Sequence, residues 1–335
     1  MTFDLVYAGL GLVILLLAGD SLVRGAVNLS LRLGVPALIV SLTIVAFGTS
    51  APELLISIKA VLDNAPGIAL GNVVGSNTAN ILLVLGVPAL ITGLHTAECD
   101  TRRTYVLMLL STLFFLFIAM IGPITWIHGI GLLLALGFIL ADAFMTARNH
   151  RRDTNAAEVV RANAAKEARL AAPDDDPLEE VEGADPSLGW GKISLFLILG
   201  LVGLPLGADL LVESSINIAR ELGVSETVIG LTLVAAGTSL PELATTVMAA
   251  LRRQADVALG NVIGSNMFNL LAIVGIASMF GPIPVPPEML RFDLWVMLGA
   301  SVLLMPFVFR GWPLNKAWGT AFVVLYAGYV GVLLL

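Results

Sequence analysis

Residues 41–86 recur at 230–275. A shift of 189 positions aligns the two stretches without a gap, and 23 of the 46 aligned residues are identical. Shared apolar composition would produce scattered Leu and Val matches, but these identities include polar words. Gly48-Thr49-Ser50, a variable residue and Pro52-Glu53 return as Gly237-Thr238-Ser239 and Pro241-Glu242. Gly71-Asn72-Val73 and Gly75-Ser76-Asn77 return as Gly260-Asn261-Val262 and Gly264-Ser265-Asn266, and Asn80 returns as Asn269. Weaker matches reach back to Asp20/Asp209 and Asn28/Asn217. Any fold for this chain must therefore build one structural unit twice.

The solvent for that unit follows from composition. Of 335 residues, 57% are hydrophobic and 13% charged, against about a quarter charged in an average soluble domain. A soluble core cannot absorb so much apolar surface. The apolar runs reach the roughly 20 residues needed to cross hydrocarbon, and they are continuous, where a membrane β-barrel would alternate. Ten membrane helices are expected, near 4–31, 35–62, 66–93, 103–121, 126–147, 190–219, 224–251, 255–280, 289–309 and 315–335. The first, without a basic leader segment or a cleavage site, reads as a membrane helix and not a signal peptide. Residues 1–147 thus hold one five-helix repeat and 190–335 the other. Between them, 148–189 is a linker with six basic and ten acidic residues. Its first part, Asp153 to Ala172, is predicted to form an exposed helix, and the DDDPLEE stretch from Asp174 to be disordered.

Five is odd, so the second repeat must enter the membrane from the opposite side to the first. Basic residues concentrate on the cytoplasmic side of membrane proteins. With the N-terminus outside, the cytoplasmic segments hold 14 of the 18 basic residues, Arg102, Arg103, Arg148, Arg252 and Arg253 among them. Both termini are then external, the linker is cytoplasmic, and the chain is a multi-pass protein of the cell (inner) membrane. The single cysteine, Cys99, excludes an intrachain disulfide and a cysteine metal cluster. No basic patch points to nucleic acid.

Glu53 and Glu242 fall in mid-membrane, where an ionisable residue marks a functional site by default. The four helices carrying the repeated words offer no Lys or Arg at that depth, so a bound cation is the expected counter-charge. The alternative is a protonated, hydrogen-bonded glutamate, which does not explain why the surrounding words are duplicated. Pro52 and Pro241 each remove a backbone donor and break the helix, and the carbonyl groups so freed need protein, water or an ion. Ala46, Thr49, Ser50 and Glu53 are spaced to share one helical face, as are Ala235, Thr238, Ser239 and Glu242. Ser76 with Asn80, and Ser265 with Asn269, are pairs one turn apart. Carboxylates, hydroxyls, amides and carbonyls without His or Cys suit a hard cation. Two carboxylates plus freed carbonyls meet the needs of Ca²⁺ better than those of Mg²⁺.

These words resemble the α-repeats of the Ca²⁺/cation antiporter superfamily, most closely its prokaryotic sodium/calcium exchanger branch, and the similarity extends over essentially the whole chain. The resemblance implies a central group formed by the second, third, seventh and eighth helices, with the first and sixth as a sliding gate. It implies calcium ligands at Glu53, Glu242 and the carbonyls of Thr49 and Thr238. Sodium ligands would be Ala46, Ser50, Ser76, Ala235, Ser239 and Ser265 together with both glutamates, and Asn80 and Asn269 would line the middle. Some relatives carry an acidic residue where this chain has Asn269, so two carboxylates are expected here, not three.

The function expected is antiport of Ca²⁺ against Na⁺ by alternating access, without a cofactor and without enzymatic activity. The expected partners are the two ions and the lipid bilayer. The nearest rival is an H⁺/Ca²⁺ or K⁺-dependent exchanger using the same glutamates. A passive channel fits paired buried carboxylates less well, and an intramembrane enzyme acting on a diphosphate lipid would need basic residues at depth. Among weaker signals, Asp20 and Arg24, one turn apart, are expected to form an ion pair. Trp126, Trp190, Trp295, Trp312 and Trp318 fit interfacial anchors.

Overall fold

The computed structural model describes residues 2–94, 101–168, 185, 188–223 and 237–334. Ten apolar helical segments follow one another, as the hydropathy pattern requires. In the first repeat α1 is Thr2–Leu33, and α2 is a bent pair, Ala37–Thr49 and Ala51–Leu62, with 43° between its halves. Then come α3 (Pro66–Ile91), α4 (Arg102–Ile121) and α5 (Trp126–Ala168). In the second repeat α6 is Trp190–Glu221, and the described part of α7 is Leu240–Leu251. It continues with α8 (Ala255–Phe280), α9 (Pro287–Phe309) and α10 (Lys316–Leu333). Eight of these are each long and apolar enough to cross a membrane, and the bent α2 supplies a ninth span. The chain is a multi-pass integral membrane protein.

Three local features depart from the sequence expectation. Helix α5 does not end at 147 but runs unbroken to Ala168. Residues 148–168 contain neither Gly nor Pro and are rich in Ala, Arg and Glu, so nothing stops the helix at the membrane surface. The rest of the predicted linker helix, and the DDDPLEE run, lie outside the described residues. Helix α9 is jointed at Phe292 and at Leu304, the latter just ahead of Pro306. Three stretches, Ser41–Val45, Asn80–Val84 and Phe268–Ile273, widen to π-helix. The last two begin at or beside Asn80 and Asn269, and π-turns of this kind gather at functional sites.

The inversion is visible in two backbone clips. Leu94 and Leu314 exchange N–H···O bonds of 2.9 and 3.0 Å, and Ile124 and Ile283 exchange two of 2.8 Å. Ile283 stands 189 positions after Leu94, so each clip is the counterpart of the other. Helix α4 separates Leu94 from Ile124 by about 30 Å, which sets the clips at opposite ends of the bundle. Related contacts at opposite ends are what two inverted copies require.

Helices α3 and α8 are the most enclosed spans, and α1 and α6 lie against each other at the edge. A Cβ at Gly11 would come 2.7 Å from the Leu211 nitrogen, and its counterpart Gly200 would meet the Leu22 Cβ at 2.5 Å. Small residues thus let the two backbones touch, the usual packing of membrane helices. The outer faces, with Leu5, Leu17, Ile198 and Leu206, are exposed and suit lipid.

The α1/α6 pair is tied to α7 by charge. Asp20 takes Arg24 Nε at 3.0 Å, as the sequence predicts, and also binds Arg252 from just beyond α7. Arg252 lies at a helix end, as expected from the sequence, but its side chain is 15% exposed and folded onto α1. Asp20→Asn leaves that guanidinium without its counter-charge. The expected loss is about 1–3 kcal/mol, between the exposed and buried limits for ion pairs, read as a lowered unfolding temperature in detergent. Wild-type stability in this variant would show that the contact is incidental.

Candidate cation site

Both repeats break in the same conformation. Ser50 has φ −85° and ψ 3°, and Ser239 has φ −89° and ψ 3°. After each serine a new half-helix starts, with proline second and glutamate third. The proline has no N–H to offer the carbonyl of Gly48 or Gly237. The glutamate falls in the first turn, where unpaired N–H groups favour a carboxylate.

Glu53 and Glu242 are each 1% exposed. Among the described residues neither forms an ion pair. The Ser50 hydroxyl donates to Glu242 Oε1 at 3.2 Å, a bond from the first repeat to the second. The two glutamates lie close enough for their charges to repel. The fold therefore brings together two acids that the sequence separates by 189 positions.

Buried polar atoms normally find a partner. Here Glu53 Oε2, Asn80 Oδ1, Ser239 Oγ, Glu242 Oε2, Ser265 Oγ and Asn269 Oδ1 are buried without a hydrogen bond among the described residues. All six belong to residues singled out from the repeated words, and all six are oxygens. Leaving such an atom unsatisfied costs about 1–3 kcal/mol, and oxygens of this kind are the ligands a hard cation takes. Asn77 Oδ1, Thr101 Oγ1 and Asp256 Oδ1, outside the predicted set, are likewise buried without a hydrogen bond among the described residues. Of the other predicted residues, Ala46, Thr49, Ser50 and Ser76 are buried and Thr238 is half-buried, while Ala235 lies outside the described residues.

Four asparagines of the repeated words received no role from the sequence. Asn77 Nδ2 donates to the Asn266 carbonyl at 3.3 Å, and Asn266 Nδ2 returns the bond to the Asn77 carbonyl at 3.4 Å. Asn80 Nδ2 reaches Asn266 Oδ1 at 3.0 Å. Asn72 Nδ2 donates to the Glu53 carbonyl at 3.3 Å and the Ser57 hydroxyl at 3.2 Å. Asn261 Nδ2 does the same to the Glu242 carbonyl at 3.4 Å and the Thr246 hydroxyl at 3.2 Å. Duplication was the signal that marked all four.

One end of the site is closed by direct packing. The first half of α2 seals against α8: Ser41 donates to the Val257 carbonyl at 2.6 Å. A Cβ at Gly260 or Gly264 would meet the carbonyl of Leu38 at 2.8 Å or of Leu42 at 2.5 Å. The counterpart of that first half, at the start of α7, lies outside the described residues.

Comparison with known proteins agrees with this architecture. The sodium/calcium exchanger protein family model matches residues 3–145 and 192–335, and the chain belongs to that family. It is a transporter, not an enzyme. The sodium/calcium exchanger MaX1 of Methanosarcina acetivorans is 35% identical over 342 residues, covering 97% of this chain and 96% of that protein. The putative antiporter CaxA of Alkalimonas amylolytica is 34% identical, covering 97% and 96%. A structure of the sodium-calcium exchanger NCX_Mj, soaked with Na⁺ and Sr²⁺, superposes with a TM-score of 0.78 at 30% identity and 98% coverage of both chains.

Proposed function

We propose that this protein exchanges Ca²⁺ for Na⁺ across the cell membrane by alternating access, both ions competing for one midplane site. The observation that carries the reading is the set of six oxygens, on two buried glutamates and four other residues of the repeated words, that have neither hydrogen bond nor cationic partner among the described residues. In this reading Ca²⁺ is held by Glu53, Glu242 and the carbonyls of Thr49 and Thr238. Sodium ions take Ala46, Ser50, Ser76 and the same glutamates, with Ala235, Ser239 and Ser265 on the second repeat, and Asn80 and Asn269 line the centre. The exchange for which MaX1 is named, and the Na⁺ and Ca²⁺ soaked into another NCX_Mj structure, support this choice of cargo.

Competition follows from charge. Two carboxylates balance one Ca²⁺, and the empty, doubly negative site is expensive to close into an apolar barrier. Either cation load lowers that cost, so the loaded protein switches sides and the empty one does not. With the termini outside, the sealed α2/α8 face is cytoplasmic, and α1 and α6 are the sliding pair. Radiolabelled calcium uptake into vesicles, under imposed Na⁺, H⁺ or K⁺ gradients, tests the driving ion. Uptake is expected only against an outward Na⁺ gradient; uptake driven by a proton gradient alone would overturn it.

A further inference from the structure

We infer that Asn261 and Asn72 are positioning residues that fix the glutamate-bearing turns and thereby set the size of the cation cage, an inference that rests on the site proposed above. Neither residue is among the ligands proposed there. Each amide nitrogen bonds two groups of the neighbouring half-helix: the main-chain carbonyl of the glutamate and the hydroxyl one turn later. The hydroxyl residues, Ser57 and Thr246, are themselves counterparts, 189 positions apart. The same three-cornered contact therefore exists twice, on helix pairs of opposite direction.

Its location ties it to the site. Asn261, Ser265 and Asn269 are spaced four apart along α8, as are Asn72, Ser76 and Asn80 along α3, so each asparagine begins the stripe that carries the unpartnered oxygens. Asn261 does more. Its Oδ1 accepts the Thr49 hydroxyl at 3.3 Å, a donor shared with the Ala46 carbonyl at the same distance, so one amide contacts Glu242 of the second repeat and Thr49 of the first. The residues it joins are buried, with Asn261 and Thr246 0% exposed and Glu242 and Thr49 1%. The bonding fixes the amide's orientation, since the flipped amide would set its oxygen against the Glu242 carbonyl. With the nitrogen on that side, Asn261 offers the glutamate turn a donor.

Groups that orient metal ligands typically shift metal affinity by about 10–100-fold when removed. A cage whose ligands are held rigidly also discriminates by ionic radius, whereas a loosened one accepts a larger ion. The test is equilibrium binding of Ca²⁺ and Sr²⁺ to the purified full-length protein in detergent, with unfolding temperatures measured alongside. Asn261→Leu is expected to weaken Ca²⁺ binding about tenfold and to bring the Ca²⁺/Sr²⁺ preference closer to one. Thr246→Val should move both readouts the same way, and Thr246→Ser, which copies the first repeat's own Ser57, should restore wild-type values. If Asn261→Leu does not fold, the Thr246 pair decides. Unchanged Ca²⁺ affinity and unchanged ion preference in the folded variants would overturn the inference. If Glu242→Gln still binds Ca²⁺ normally, the site itself is wrong; if it does not while the Asn261 and Thr246 variants behave as wild type, only the positioning role fails.

Discussion

Replacing Glu53 or Glu242 with Gln is expected to abolish Na⁺-driven Ca²⁺ uptake while leaving the protein folded. Glutamine matches glutamate in size, so the packing around a 1%-exposed side chain is kept. It removes half of the negative charge that faces the ion, and its amide nitrogen brings donors where the site presents oxygens. Removing one partner of a buried charge interaction costs about 2–5 kcal/mol, which is thirtyfold to several thousandfold in affinity. Stability should move the other way. Without cation, the two carboxylates repel each other in a site that lacks compensating charge, and each variant relieves that repulsion. In cation-free buffer both variants should unfold at or above the wild-type temperature. Saturating Ca²⁺, which stabilises a binder by about 2.7 kcal/mol at a hundred times its Kd, should raise only the wild-type value. Residual Na⁺-driven uptake in either variant would sink the assignment.

The second large effect concerns closure. Gly264→Ala, on the face where α2 packs against α8, is expected to hold that face apart. At Gly264 the added carbon meets the Leu42 carbonyl at 2.5 Å and the Ala46 Cβ at 2.6 Å, so α2 must lift from α8. Backbone cannot swing aside as a flexible side chain does, and overpacking of this kind costs about 1–3 kcal/mol. Gly264→Ala should therefore slow exchange by about tenfold or more, as a bias of 1.4 kcal/mol against the closed face implies. It should also expose a cysteine placed at Ser41, in a Cys99→Ser background, to a water-soluble thiol reagent. With Gly264 retained, that cysteine should stay protected. Equal labelling with and without Gly264→Ala would remove the case for a seal at the α2/α8 face.

The backbone plan was legible because membrane spans announce themselves by length and the repeat by its polar words. Glu53, Glu242, Ser239 and Ser265 were found from the same words, and unpartnered oxygens now mark them in space. What escaped the sequence depends on neighbours that no local pattern encodes. The π-turns at Asn80 and Phe268 insert into helices whose hydrophobic period gives no sign of them. Arg252 looked like one more cytoplasmic charge because its partner, Asp20, is 232 positions away. Asn72 and Asn261 stood in plain view as repeated letters, but their bonds go to main-chain carbonyls, which carry no sequence signature. Helix α5 overran its expected end because the expectation followed hydropathy, and helix propensity does not stop where the membrane does.

The reciprocal bonds between Asn77 and Asn266 lie where the two copies meet, and exchanging the copies turns each bond into the other. A motion that swaps the roles of the repeats leaves them unaltered, so they act as a fulcrum and contribute nothing to the energy gap between its end states. That gap must reside in contacts whose twin is unmade. One such contact is adjacent: Asn80 donates to Asn266 Oδ1, while Asn77 Oδ1, the acceptor that Asn269 would reach in the twin, has no hydrogen bond among the described residues. The centre is thus symmetric in the bonds between Asn77 and Asn266 and asymmetric in this one, which ties Asn80 of the first repeat to the second.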